Sequence, residues 1–355
     1  MLKALLERFK PPSVEPRDTS WLNNDIADLQ TKSGEYGPEK MHVVLDAKTL
    51  DNDKINEYHS SIKAFEFRPQ TWEQFIGQEE TKKRAKYIVA QYNRGMRCHM
   101  ILSAIRGHGK TSWVELLAKT MNAHLIQNIG NTVTLESLPG IINEINKTEG
   151  TVIWFVDEID TCASDIIKLL NPVIESFKIN GKKIKPFIFA CATINKYVLY
   201  KNNPDFLDRI QNHINFSRYS ISELTQIVTQ VYEQLYANEP ITKEALEVLA
   251  KNAKFNPRTV INLLETLVVE PNINTMLKTY GIVKDGLTHT DVSILQFLAT
   301  VNRPVGANAI AMKIGMCPQE YLGEWEAFLY EFGYILRVPS RIISEKGKAF
   351  LKEII

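Results

Sequence analysis

The chain has 355 residues, 44% of them hydrophobic and 23% charged, and its 42 Lys and Arg against 41 Asp and Glu leave a formal charge of +1. That length exceeds one ordinary core and predicts two or three domains, with the composition of a soluble globular protein. Near-neutrality excludes a global electrostatic attraction to nucleic acid, so any such binding must rest on local basic clusters.

No apolar run approaches a membrane span, and MLKALLERFK lacks the apolar core and cleavage site of a signal peptide. A cytoplasmic location with no membrane partner is expected. Cys98, Cys162, Cys191 and Cys317 stand singly, without zinc-type CxxC spacing or a disulfide framework.

Residues 1–60 are polar and broken by Pro11, Pro12, Pro16 and Pro38, and read as an N-terminal extension, partly disordered or bound to a partner. From Glu79 a helical pattern runs to Arg94. Strand candidates follow at 100–103, 124–126, 152–156, 187–193 and 213–216, with helices expected at 111–121, 135–145 and 165–176 between them. This alternation predicts an α/β fold with a parallel sheet, occupying residues 61–216.

AIRGHGKT, residues 104–111, leaves the first strand candidate and enters a helix, the setting of a nucleotide phosphate loop. Such a loop turns backbone N–H groups onto phosphate oxygens above a helix N-terminus. Arg106, Gly107, His108, Gly109, Lys110, Thr111 and Ser112 are the candidate nucleotide contacts, with Lys110 on the β- and γ-phosphates and Thr111 on a magnesium ion. Ala104 replaces the first Gly of the GxxxxGK[ST] pattern, so the chain must enter this loop through an ordinary backbone conformation.

TVIWFVDEID, residues 151–160, reads as a strand buried on both faces, with acids at the carboxyl end where open α/β sheets bind ligands. Asp157 is the second magnesium candidate, and Glu158 the general base for an attacking water. Both motifs in this order predict an ATPase using ATP and magnesium.

Between the acids and the next long strand, ESFKINGKKIKPF contains an Asn180-Gly181 turn and predicts a short hairpin carrying Lys178, Lys182, Lys183 and Lys185. These lysines suit DNA or another partner, or equally a solvated turn. After Phe216 the alternation stops. SISE (220–223) is a capping box opening one helix, Thr242 starts a second and Pro257 a third, predicting a small helical domain over 217–285. From 286 to 355, helical patterns at 290–300, 307–314 and 318–331 precede two β runs about Pro339-Ser340, which predicts a winged helix with Trp325, Phe328 and Leu329 in its core. Arg337, Arg341, Lys346 and Lys348 about its hairpin are candidate contacts to DNA phosphates. Glu320, Glu324, Glu326 and Glu331 bring that module near neutrality and keep a protein-docking role open.

The order of FRPQTWEQFIGQEETKKR, the phosphate loop, VIWFVDEID, ATIN, DRI and NPR resembles the RuvB branch-migration ATPases of the AAA+ class, over about residues 65–355. The resemblance implies an AAA+ domain, a helical lid and a winged helix in a homo-oligomeric, hexameric ring, acting on duplex or branched DNA without sequence specificity. It implies Arg68, Phe75 and Ile76 about the base, Thr193 or Asn195 as the first sensor of the γ-phosphate, and Arg258 as the second. Arg209 matches the finger that reaches a neighbouring subunit's site, the alternative being a surface Arg paired with Asp208. The hairpin is shorter than the family's, which counts against a RuvA-type partner. Two other readings remain: a clamp-loader-like subunit, and an ATP-dependent adaptor on DNA with slow hydrolysis.

Overall fold

The computed structural model describes residues 67–354 except 180 and 195, so the extension at 1–60 and the sensor candidate Asn195 lie outside the described residues. In chain order come α1 (Glu79–Asn93), β1 (Met100–Ser103), α2 (Lys110–Thr120), β2 (His124–Ile129), α3 (Leu138–Lys147), β3 (Val152–Asp157) and α4 (Ser164–Ser176). The hairpin β4 (Lys178–Ile179) and β5 (Lys182–Lys183) precedes β6 (Ile188–Thr193), the short helices α5 (Lys196–Asn202) and α6 (Pro204–Asp208), and β7 (Asn212–Asn215). The two short helices were not legible as periodic patterns, because five or seven residues barely complete one or two turns.

The five long strands form a parallel sheet in the order β2-β3-β6-β1-β7. Their apolar runs lack alternation because both faces are covered. Ile153 and Phe155 of β3 join Ile188 and Ala190 of β6 in the core beneath Trp113 and Leu117 of α2. Val152, Trp154 and Val156 turn the other way, into the core filled by Ile145 of α3 and Leu170 and Val173 of α4. Since β6 lies between β1 and β3, three carboxyl ends meet: the phosphate loop leaves β1, Thr193 ends β6 opposite Ser103, and Asp157 ends β3.

Helices α7 (Ile221–Leu235), α8 (Lys243–Asn252), α9 (Pro257–Val269) and α10 (Ile273–Thr279) enclose a separate core around Leu224, Val228, Leu249 and Leu264. Ser220 and Glu223 form the reciprocal capping box, and Thr242 caps α8. The last part begins with β8 (Ile282–Lys284) and β9 (Leu287–Thr288), then α11 (His289–Val301), α12 (Ala307–Ile314), α13 (Pro318–Glu320), α14 (Ala327–Glu331), the antiparallel pair β10 (Ile335–Val338) and β11 (Ser340–Ile343), and α15 (Glu345–Ile354). Phe328 and Leu329 are buried in its core, with Trp325 packed against it.

One continuous helix at 318–331 is corrected: Tyr321–Glu326 winds as a π-helix between α13 and α14. Tyr321 and Glu326 are both fully buried. π winding brings positions five apart towards one face, whereas α winding would turn one of them outward.

Candidate nucleotide site

Gly107 and Gly109 adopt φ of 81° and 85°, and Gly109 caps α2. Neither tolerates a side chain: a Cβ on Gly107 would lie 2.4 Å from Asn256 Oδ1, and one on Gly109 3.0 Å from the Phe75 ring. Ala104 keeps a backbone outside the left-handed region, its N–H donating to the Thr193 carbonyl at 3.3 Å. The missing first Gly therefore costs the loop nothing in conformation.

Lys110 is buried, and its Nζ donates to the carbonyls of Ala104 at 2.8 Å and Ile105 at 3.3 Å, so the ammonium lies inside the loop. Burial draws its pKa below the ordinary lysine value, against an upward pull from Asp157, Asp160 and Glu158. Thr111 Oγ1 donates to Asp157 Oδ2 at 3.3 Å, and the other oxygen of Asp157 accepts the Glu158 N–H at 2.8 Å. Glu158 itself sits in the left-handed region at φ 49°. Its carboxylate pairs with Arg106 at 3.2 Å. Thr193 is fully buried and donates to Asp160 Oδ1 at 2.7 Å, so the third acid of the motif holds the sensor candidate. Ser112 follows on α2, half-buried.

The helical segment closes over this loop. Asn256 caps α9 by accepting from the Arg258 N–H, and its Nδ2 donates to the Arg106 carbonyl at 2.9 Å. Arg258 thereby stands at the loop, its Cβ 2.8 Å from where a Cβ on Gly107 would be. From the start of the same segment, Tyr219 donates to the His108 carbonyl at 3.3 Å, and the two rings meet edge to face. Asn256, Tyr219 and Asp160 escaped sequence reading as site residues. Only the Asn-Pro helix start hinted at the first.

The base-pocket candidates part company. Phe75 is buried beneath Gly109, Ile76 packs on the core of the helical segment, and Arg68 pairs with Glu115 of α2 at 2.7 Å. Arg209 lies beyond α6, its Nε donating to Glu175 at 2.9 Å and its NH1 to the Asp205 carbonyl. Its carboxylate partner is thus on α4 rather than the adjacent Asp208.

The basic candidates are largely engaged within the chain. Arg341 makes two bonds to the fully buried Glu326, at 2.7 and 2.9 Å, and Arg337 joins it from above. Lys346 donates to the Phe332 carbonyl and Lys348 pairs with Glu345. Lys178, Lys182 and Lys183 are exposed on β4 and β5, but Lys185 turns away to the carbonyls of Thr148 and Gly150, which corrects its place in the lysine cluster.

These donors suit a polyphosphate: a buried ammonium, positive-φ glycines at a helix start, and a hydroxyl–carboxylate pair. Among the described residues no cluster of three His, Cys, Asp or Glu could hold a metal by itself. Thr111 and Asp157 together match magnesium, which takes few protein ligands beside phosphate oxygens and water. Residues 67–182 match the family model of the Holliday junction DNA helicase RuvB P-loop domain. The branch migration complex subunit RuvB of Thermotoga maritima is 26% identical over 80% of this chain and 92% of its own length, and that of Helicobacter pylori 27% over 87% and 96%. Among solved structures, the Thermotoga maritima RuvB branch migration motor superposes with a TM-score of 0.67 at 25% identity, covering 80% of this chain and 98% of that one. A point mutant of the same protein gives 0.69 at 26%, with the same coverage. A phosphate loop and acid strand in this sheet order, within a likeness that spans four-fifths of the chain, show a P-loop ATPase that is similar to RuvB.

Proposed function

We propose that the chain is an ATP-driven, ring-forming motor that moves duplex or branched DNA. The observation that carries this reading is the hydrogen bond between Thr111 and Asp157, with Asn256 holding the same loop from the helical segment. Loop, acid strand and lid thereby converge on one phosphate position. Lys110 binds the β- and γ-phosphates after leaving its carbonyl partners, and Thr111 and Asp157 would hold magnesium, which would neutralise phosphate charge when bound. Glu158 accepts a proton from the water that attacks the γ-phosphorus, and the bond to the bridging oxygen of ADP breaks. Thr193 and Arg258 register the γ-phosphate from β6 and from the start of α9. Arg68, Phe75 and Ile76 lie on the base side.

In a hexameric ring, Arg209 would leave Glu175 to complete a neighbour's site. A finger in trans is worth roughly 10³ to 10⁵ in rate, which couples hydrolysis to assembly. The exposed lysines of the β4–β5 hairpin and the outer part of Arg337 offer phosphate contacts without base readout. The C-terminal module, with three main helices, a β-hairpin and its own core, fits a winged helix.

Steady-state ATP turnover with duplex, branched and single-stranded DNA across a salt series tests the motor. DNA should raise turnover, and the effect should fall steeply with salt. Turnover indifferent to every DNA form would overturn the motor and leave the ATP-dependent adaptor.

A further inference from the structure

Arg106 lies in the phosphate loop between Ile105 and Gly107, yet its guanidinium reaches across to Glu158, with NH2 3.2 Å from Oε1. Both ends of this contact have fixed backbones. The Arg106 carbonyl is held by Asn256, while Glu158 is set by its left-handed φ and by its N–H on Asp157. Only the two side chains are free to change partner. They remain 69% and 35% exposed, and a single contact between groups so open to water is weak. A phosphate bound over Gly107 and Gly109 would offer the same guanidinium several anionic oxygens, which it binds in bidentate fashion and more strongly than one carboxylate oxygen.

We propose that Arg106 is a positioning residue that shares its guanidinium between Glu158 and the terminal phosphate, so that filling the loop frees the base that activates the attacking water. The proposal rests on the nucleotide-hydrolysing reading above. While the guanidinium of Arg106 occupies Oε1, that oxygen is taken up by a donor and is not open to a water. Departure of Arg106 to the phosphate leaves that oxygen open to accept from the attacking water and places a second cation on the group that accumulates charge. The general base is thereby coupled to the presence of a terminal phosphate, without movement of the backbone.

The test is a double-mutant cycle read by binding, on the full chain with magnesium, using a non-hydrolysable ATP analogue and ADP. Glu158→Gln removes the competitor for Arg106 and should tighten the analogue relative to ADP by roughly two- to fivefold, the fold-change an exposed ion pair carries. Arg106→Ala should weaken the analogue more than ADP, and in its background Glu158→Gln should bring no gain. Arg106→Lys should recover part of the loss, lacking the fork but keeping the charge. Retained ADP binding by Arg106→Ala shows an intact fold. A gain from Glu158→Gln that is the same with and without Arg106, or equal weakening of both nucleotides by Arg106→Ala, overturns the proposal while leaving the nucleotide site standing. Wild-type protein that binds neither nucleotide overturns both.

Discussion

The ring of Phe255 stacks on that of Phe332 with centroids 4.3 Å apart and planes 7° from parallel. Phe255 and its neighbour Lys254 are consecutive non-glycine residues in the left-handed region, at φ 59° and 48°. Such conformations are costly and persist only where surrounding contacts hold them. Lys254 pairs with the fully buried Asp291 at 2.7 Å and lies over Phe328, while Arg218 lies over Phe332 and pairs with Glu331. The next residue, Asn256, grips the phosphate loop. Three consecutive residues therefore tie the C-terminal core to the nucleotide site.

Replacing Phe332 by Ala should lower unfolding free energy by about 2 kcal/mol, since a half-buried aromatic and its stacked partner are both disturbed. The relaxed turn should also raise the KM for ATP by loosening Asn256 and Arg258. Urea unfolding and steady-state kinetics measure the two effects, and a lowered stability with unchanged KM would show that the turn is not coupled to the loop.

Arg341 and Arg337 share one buried carboxylate but differ in exposure, at 19% and 43% of their side chains. Arg341→Ala should cost about 3 kcal/mol because it strips the principal partner from a buried charge. Arg337→Ala should cost under about 1 kcal/mol. Denaturant melts decide this, and equal small losses would mean that Arg341 is an ordinary surface cation.

Arg209→Ala should bind nucleotide as the wild type does, yet lose about 10³-fold in turnover. Mixing it with Lys110→Ala should restore activity, because the first variant brings an intact phosphate loop and the second an intact finger. Turnover of the mixture no higher than the sum of the separate variants would argue against a site completed by a neighbour.

Burial pushes His99 and His108 down to about 4. His99 is fixed as the neutral tautomer, its Nδ1 accepting from the Phe189 N–H and its Nε2 donating to the Ile174 carbonyl. An unfolded histidine protonates near 6.5, so each contributes stability that is present above that pH and is lost as pH falls towards 4. The loss should approach about 1.4 kcal/mol per pH unit for each group. Thermal midpoints from pH 7 to 4.5 should fall accordingly, beginning below about 6.5, and His99→Asn should flatten the slope. A profile level over that interval would contradict the burial of both rings.

Much of the site was legible because its chemistry is local. The phosphate loop, the acid-tipped strand and the Ser220–Glu223 capping box each depend on residues within a few positions of one another, and each lies where the pattern indicates. The π segment and the short helices were less legible, because burial from distant elements, not local periodicity, selects them.

By itself, then, the sequence determined the alternation of strands and helices, the phosphate loop with its ordinary entry at Ala104, and the acids at the end of a buried strand. Only the tertiary structure decided who partners whom: Arg106 with Glu158, Asn256 with the loop, Arg209 with Glu175, and Arg341 with Glu326. Backbone hydrogen bonding and hydrophobic periodicity are short-range and leave a mark in neighbouring letters. The partner of a charged side chain is whatever group the completed fold brings within about 3 Å of it, and no local pattern records that.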